Sequence, residues 1–201
     1  MIKYLGTHNS GTGGNLVGWQ KPFGFILTPL SQCQTLSIRE QLEAGVKLFN
    51  LQITYYKDQW VFSHGLCIYK ETLREALDML EKYATETSPI YYQLYLDKNF
   101  FLGQNVEQFE KLVNNLLTYE TYNTYNAKLI LAWIEGSDNY LYKYPTPLDI
   151  NEKYWTSYWA KLFGSWWDRI PNPKKHAQKY NKQYINDNIS EYLMLDFIEY
   201  D

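Results

Sequence analysis

Hydrophobic residues recur along the chain in two alternating spacings, one of about two residues and one of about three to four. Runs with the shorter spacing predict β-strands, and runs with the longer spacing predict helices. Strands are predicted over residues 2–6, 47–54, 60–63, 90–97, 128–134 and 192–198. Helices are predicted over residues 36–44, 72–83 and 106–117. Strands that alternate with helices are typical of parallel βαβ units, so the pattern predicts an α/β protein.

The helix predicted over 36–44 has sequence signals at both ends. Ser37 can cap its first turn, Glu40 follows three residues later as in a capping box, and Gly45 follows its last turn. The strand predicted over 47–54 comes next and has two different faces. Its apolar face carries Phe49, Leu51 and Ile53, and its polar face carries Asn50, Gln52 and Thr54.

The chain is expected to fold as a single domain over residues 1–201. It contains no Pro-, Gly- or Ser-rich stretch and no charge-rich stretch that would separate two units. A hydrophobic fraction of 45% and an aromatic fraction of 18% exclude a largely disordered chain. This length is at the lower limit for eight βα units, so we expect a compact, irregular or incomplete TIM (β/α) barrel. Residues 136–190 show no clear element.

Composition excludes some partners and leaves others open. A net charge of −3 without a dense cluster of lysine and arginine argues against nucleic-acid binding. Cys33 and Cys67 have no framework spacing, so free thiols are expected.

No apolar run approaches the ~20 residues of a transmembrane helix, and the first strand begins too early to leave room for a signal peptide. We therefore expect a cytoplasmic or virion-associated protein. Abundant Asn, Lys, Ile and Tyr with little Arg favour an AT-rich source such as a virus or phage.

Two histidines are the strongest candidates for chemistry. His8 and His64 follow the first and third predicted strands, and the carboxyl ends of parallel barrel strands meet at one mouth. A pair of imidazoles with pKa values near ~6.5 can serve as base and acid in phosphodiester cleavage. The alternative is that each histidine only satisfies a loop or core hydrogen bond. The third histidine, His176, is expected at the surface.

Three motifs in order resemble the catalytic half-barrel of the phosphatidylinositol-specific phospholipase C family. They are Gly6-Thr7-His8-Asn9-Ser10, residues 34–52, and Phe62-Ser63-His64-Gly65, with a weaker similarity at Leu195-Asp196-Phe197. The resemblance covers about the first half of the chain. It implies a barrel fold and a phosphodiester or phosphoinositide-type substrate, with peripheral membrane contact.

The resemblance also implies individual roles. His8 matches the family's general base, which takes the proton of the inositol hydroxyl beside the phosphate so that its oxygen forms a cyclic phosphodiester. His64 matches the general acid, which protonates the leaving oxygen. Asp196 matches the carboxylate that holds the base in its tautomer, although an ordinary polar residue at a strand end is the alternative.

The charged positions of the family are altered in this chain. Bacterial members carry an aspartate and an arginine on the second strand, and calcium-dependent eukaryotic members carry two carboxylates there; this chain has Asn50 and Gln52. Neither an arginine clamp nor a calcium site is supported, so no metal or cofactor is expected, although Asn9 matches the eukaryotic asparagine ligand. Further substrate contacts are expected from Asp97 and Lys98. Lys98 or Arg169 is the candidate replacement cation.

Two classes of function follow. One is a phosphodiesterase with a rearranged cation or an unusual substrate. The other is a catalytically degenerate barrel that acts as a binding or structural module, for example in a viral particle. A glycerophosphodiester-type barrel is disfavoured, because the metal-binding carboxylates that it needs are missing. Aromatic residues of the 136–192 segment, including Trp155, Trp159, Trp166 and Trp167, are expected either at an interfacial or sugar-stacking surface or in a core or subunit interface.

Overall fold

The computed structural model describes residues 4–99, 101–122, 126–137, 140–145, 148–153, 173–187 and 190–200. The strands in these ranges are β1 Tyr4–Thr7, β2 Leu48–Tyr56, β3 Gln59–His64, β4 Cys67–Thr72, β5 Ile90–Leu96, β6 Ala127–Ile134, β7 Tyr140–Lys143, β8 Ile150–Lys153 and β9 Tyr192–Leu195. The α-helices are α1 Gly24–Ser31, α2 Ile38–Glu43, α3 Leu73–Tyr83, α4 Val106–Tyr122 and α5 Pro173–Asp187. Trp155, Trp159, Trp166, Trp167 and Arg169 lie outside the described residues.

All the described strands belong to one sheet. Its central strands run parallel in the order β6, β5, β2, β1, β9 and β8, and β7 joins β6 in the antiparallel direction. Within the described ranges the sheet does not close, because β7 and β8 stand at the two ends of this order. The predicted α/β class and the incomplete barrel are therefore confirmed.

A hairpin extension interrupts the parallel order. β3 pairs antiparallel with β2, and β4 pairs antiparallel with β3. Lys57 and Asp58 make the turn between β2 and β3, both with positive φ (48° and 61°), as expected for a two-residue hairpin turn. The prediction that the strand over 60–63 is one more parallel strand is therefore wrong, and β4 was not predicted at all.

The helices confirm the capping signals of the sequence. Ser37 Oγ accepts a hydrogen bond from the backbone N–H of Glu40 at the start of α2, and Thr72 Oγ1 does the same for Glu75 at the start of α3. Gly45 adopts a φ of +87° just after α2, a conformation that favours glycine. Helices α1 and α5 were not predicted, since α1 contains Pro29 and α5 falls in the aromatic, polar segment.

The two faces of β2 separate the core from the barrel interior. The apolar face packs against the helices and is fully buried at Phe49, Leu51 and Ile53. On the opposite face Leu48 packs in a second apolar cluster with Tyr192 and Met194 of β9. Gly6 allows this packing, because a Cβ there would lie 3.1 Å from the Leu48 side chain. This second cluster forms an apolar layer inside the barrel. The polar residues that come next along β1, β2 and β9 lie on the side of this layer towards the carboxyl ends of the strands.

Candidate active site

His8 follows β1 directly, and hydrogen bonds hold both its backbone N–H and its carbonyl oxygen. Its N–H donates to the carbonyl of Leu195 at 3.0 Å, which continues the pairing between β1 and β9. Gln34 Nε2 donates to the carbonyls of both His8 (3.0 Å) and Leu195 (2.9 Å). Asn9 then takes a left-handed backbone conformation, with φ 45°, so the chain turns sharply after the histidine. These contacts fix His8 at the carboxyl end of the barrel.

Asp196 is the partner of His8. Its Oδ1 lies 2.8 Å from His8 Nδ1, and the carboxylate is 1% exposed whereas the histidine side chain is 14% exposed. A carboxylate at Nδ1 favours the tautomer with a proton on that nitrogen, so that Nε2 is the ring nitrogen without a proton. The carboxylate of Asp196 therefore fixes the orientation of the His8 ring.

His64 reaches the same mouth at the end of β3. Its ring centroid lies 6.4 Å from that of His8, with the two ring planes 82° apart. His64 Nδ1 lies 2.6 Å from the carbonyl oxygen of Ser31, which can only accept, so Nδ1 carries a proton. The histidines meet because β2 continues beyond the mouth and β3 returns alongside it, and not because both strands are parallel.

Burial lowers the pKa of His64 below the usual histidine value, and the hydrogen bond to the Ser31 carbonyl acts in the opposite direction. The positive charge of a protonated His8 also lowers the pKa of His64. A phosphate anion bound between the rings would raise the pKa of His64, because it favours the charged imidazolium. The free site therefore favours a neutral His64, and a bound anion would favour its acid form.

Asn50 and Gln52 lie on the inward face of β2 and are both engaged by neighbours. Asn50 Oδ1 accepts from the backbone N–H of Asn9 at 3.3 Å, and Asn50 Nδ2 donates to Gln93 Oε1 at 2.9 Å. Gln52 Nε2 donates to Asp97 Oδ1 at 2.6 Å. The alternation of β5 could have indicated Gln93, because it shares a face with Asp97.

Asp97 is buried at the end of β5. Burial raises its pKa to about 7, and the negative charge of nearby Glu135 adds to this effect, while the Ser63 hydroxyl and the Gln52 amide oppose it. Among the described residues, its Oδ2 has no hydrogen-bond partner. Asp97 is therefore a carboxyl group that changes charge near neutrality.

Positive charge is sparse around the buried polar residues Asn50, Gln52, Gln93 and Asp97, which we call the floor of the site. Among the residues that the structure describes, no lysine or arginine side chain is buried. The side chain of Lys98 is exposed, and its backbone N–H donates to Glu135 Oε2 at 2.6 Å. A role of Lys98 as the replacement cation stays a prediction, as do the catalytic and binding roles of the other predicted site residues.

The thiol of Cys33 also lies at the site, although no sequence signal pointed to it. Its Sγ lies 3.7 Å from His64 Nδ1 and 3.6 Å from Asn9 Nδ2. Burial raises the pKa of Cys33 well above its usual value, and the charge of Asp196 adds to the shift. Both cysteines are free and buried, as expected.

Exposed apolar side chains lie on α1, on the residues that precede it, and on the loops that follow β3 and β5. Trp19 and Phe101 make an edge-to-face contact with ring centroids 5.2 Å apart, and Gln20 Nε2 donates to the carbonyl of Leu66. We refer to this set as the apolar rim; it consists of Trp19, Phe23, Phe25, Ile26, Leu66 and Phe101. No helix in the described ranges is both long and apolar enough to cross a membrane. A separate cleft of about 910 Å³ between α3 and α4 contains neither histidine.

This fold is that of the phosphatidylinositol-specific phospholipases C. The enzyme from Listeria monocytogenes matches with a TM-score of 0.60 and 13% identity, over 98% of this chain and 88% of the other. A variant of the enzyme from Staphylococcus aureus matches with a TM-score of 0.61 and 15% identity, over 100% and 86%.

The sequence resembles the X-domain proteins of the same family. PI-PLC X domain-containing protein 3 of Danio rerio is 36% identical over 89 residues, which make up 42% of this chain and 26% of that protein. The matched segment thus spans about a quarter of the relative's length. No protein-family model matches the chain. The chain therefore resembles the phosphatidylinositol-specific phospholipase C family in its fold and in the sequence of this segment, as its motifs predicted.

Proposed function

We propose that the chain cleaves phosphodiester bonds by acid–base catalysis with His8 and His64. The observation that carries this proposal is the approach of the two rings to 6.4 Å, with His8 held by the buried carboxylate of Asp196. A phosphate placed between the rings would have a base on one side and an acid on the other.

In the proposed reaction, His8 Nε2 removes the proton from a substrate hydroxyl adjacent to the phosphate. The resulting oxygen forms a bond to phosphorus, and the bond from phosphorus to the leaving oxygen breaks. His64 supplies the proton of the leaving alcohol from Nε2, because its Nδ1 is engaged with the Ser31 carbonyl. The products are a cyclic phosphodiester and a free alcohol; His8 has gained one proton and His64 has lost one, and exchange with solvent restores both histidines.

The proposed substrate is a phosphoinositide-type lipid with a polyhydroxyl head group. Asn9, Asn50, Gln52 and Gln93 supply neutral donors and acceptors on the floor of the site, and such groups suit sugar-like hydroxyls. The solved structures of this fold are phosphatidylinositol-specific phospholipases C, and one structure of the Staphylococcus aureus enzyme concerns modulation of its membrane binding. The apolar rim supports an analogous peripheral contact with a lipid surface for this chain.

The altered charges predict a slow enzyme. Stabilisation of the developing charge on phosphorus oxygens is usually the largest contribution to such catalysis, and loss of one preorganised donor typically lowers the rate by about 10² to 10³. Here the second strand presents two amides that are already paired with Gln93 and Asp97.

The same observation favours a second candidate function. Asn50 and Gln93 satisfy each other, and Gln52 is paired with Asp97, so a floor of this kind can bind a head group without cleaving it. A lipid-binding module on a phospholipase fold is therefore the alternative, and it requires the apolar rim but not the proton transfer.

Turnover distinguishes the two candidates. We would measure cleavage of phosphatidylinositol vesicles and of a soluble aryl phosphodiester by the wild type, His8→Ala, His64→Ala and the matched control His176→Ala. The catalytic proposal expects weak turnover that both site substitutions abolish and the control retains. Vesicle binding by all four proteins, with no turnover in any, would instead support the binding module.

A further inference from the structure

Three side chains of different chemistry converge beside the base. Potential ligand atoms of His8, Cys33 and Asp196 all lie within 4.8 Å of one another. They come from the end of β1, from the loop between α1 and α2, and from the residue after β9. Cys33 and Asp196 are each 1% exposed, so the group is shielded from bulk water.

The backbone holds the thiol in place. The N–H of Cys33 donates to Thr12 Oγ1 at 3.0 Å, and its carbonyl accepts from the N–H of Phe197 at 2.7 Å. The cysteine is therefore fixed between the turn that follows His8 and the segment that follows Asp196. These two hydrogen bonds hold the main chain so that the thiol lies beside the His8–Asp196 pair.

A fourth donor is adjacent. The side-chain amide of Asn9 is buried against the thiol, with Nδ2 3.6 Å from Sγ. Its Oδ1 is buried and has no hydrogen-bond partner among the described residues. The nitrogen and oxygen of an amide exchange places when the group rotates by half a turn, so the oxygen can occupy the position next to the thiol.

We propose that His8, Cys33 and Asp196 bind one divalent transition-metal ion of the zinc class. Thiolate, imidazole and carboxylate together are a donor set that zinc and cobalt accept, whereas calcium and magnesium take oxygen ligands. Ligand atoms of a tetrahedral zinc site lie about 3 to 4 Å apart, so small side-chain rotations complete the site. The ion displaces the thiol proton to solvent, and Asn9 Oδ1 or water fills the fourth position.

Metal binding has a direct consequence for the pair described above. A metal at His8 replaces its hydrogen bond to Asp196 and removes the oriented base. The ion therefore acts as a reversible inhibitor; this consequence rests on the proposed function, whereas the binding itself does not.

Cobalt(II) is a suitable probe because it absorbs visible light and shares the ligand preferences of zinc. We would titrate the chelator-treated full chain with Co²⁺ and record absorbance. One equivalent is expected to produce a thiolate-to-cobalt band in the near ultraviolet together with visible bands of a four-coordinate ion. Added Zn²⁺ should abolish both sets of bands by displacement.

Two matched substitutions locate the thiol. Cys33→Ser is expected to abolish the near-ultraviolet band and to weaken Zn²⁺ binding by more than about tenfold, while Cys67→Ser, at the other buried thiol, retains both. Because the chain has two cysteines, a band retained in Cys67→Ser assigns the ligand to Cys33 even if Cys33→Ser fails to fold. Absence of the band in the wild type, or its loss in Cys67→Ser, overturns the proposal whether or not the protein is an enzyme.

Discussion

The carboxylate of Asp196 lies 2.8 Å from Nδ1 of His8, and 188 positions of sequence separate the two residues. The contact joins the two ends of the described chain at one point of the barrel mouth. It also determines which nitrogen of His8 faces a substrate, since the nitrogen bound to a buried carboxylate keeps its proton.

Replacement of Asp196 by alanine should therefore impair the base without removing it. Because positioned acid–base groups contribute about 10² to 10⁴ in rate, we expect Asp196→Ala to lower kcat by part of that factor, about 10², with a smaller change in KM. Steady-state kinetics on a soluble aryl phosphodiester measure this. Asp196→Asn serves as the comparison, because asparagine keeps the shape of the side chain but removes its negative charge. If Asp196→Ala had the same kcat as the wild type, Asp196 would not orient the base.

Asp97 should make the folded protein less stable as the pH rises. Its pKa is raised to about 7 in the fold, whereas an unfolded aspartate has a pKa near ~3.9. Between these values the folded state holds a proton that the unfolded state has lost, so stability falls with increasing pH across this window. Asp97→Asn removes the titration and keeps an acceptor for Gln52.

We therefore expect Asp97→Asn to be more stable than the wild type at pH 8, with the difference shrinking towards pH 4. The effect scales as about 1.4 kcal/mol for each unit of pKa difference between the two states. Urea unfolding at several pH values provides the test. Asp58→Asn, at an exposed carboxylate, is the control and should show no such trend. A stability difference independent of pH would contradict the assignment.

An arginine at position 52 should restore part of the missing charge. Gln52 already lies 2.6 Å from Asp97, so an arginine there would pair with that carboxylate and face the phosphate. We expect Gln52→Arg combined with Asn50→Asp to raise phosphodiesterase turnover by about 10². Gln52→Met, neutral and of similar length, controls for the change in packing. If the double variant remains inactive while it folds normally, the binding-module candidate gains support.

The apolar rim should control attachment to lipid but not the chemistry. Phe25 is 77% exposed on α1, and burial of a phenylalanine side chain contributes about 1.5–3 kcal/mol. Phe25→Ser should then weaken binding to phosphatidylinositol vesicles by about 10- to 100-fold, and leave hydrolysis of the soluble diester unchanged. Phe25→Leu should bind nearly as well as the wild type. If Phe25→Ser bound vesicles as well as the wild type does, Phe25 would have no part in attachment to lipid.

Local sequence signals predicted the elements that depend on local physics. Ser37 with Glu40 marked the start of α2, and the alternation of β2 separated its buried apolar face from Asn50 and Gln52. The direction of β3 could not be predicted in this way, because the turn at Lys57 and Asp58 lacks the glycine that usually signals a tight hairpin.

Other features depend on contacts between distant parts of the chain. Cys33 has an unremarkable local sequence, and only the meeting of β1 and β9 brings it to the histidine. Helix α1 contains Pro29, which argues against a helix by propensity, yet the helix forms in the tertiary context. Motif order located His8 and His64 correctly at one mouth, although the parallel arrangement assumed for β3 was wrong.

The two hydrogen bonds that Gln34 donates, to the carbonyls of His8 and Leu195, have a consequence for biosynthesis. Until residues 192–196 leave the ribosome, β1 lacks one of its neighbours, Gln34 lacks one acceptor, and His8 lacks its carboxylate. Pairing between segments so far apart in sequence is slow to form. The barrel mouth is thus completed only after residues 192–196 have emerged, and a growing chain presents the two histidines before it has the carboxylate that orients His8.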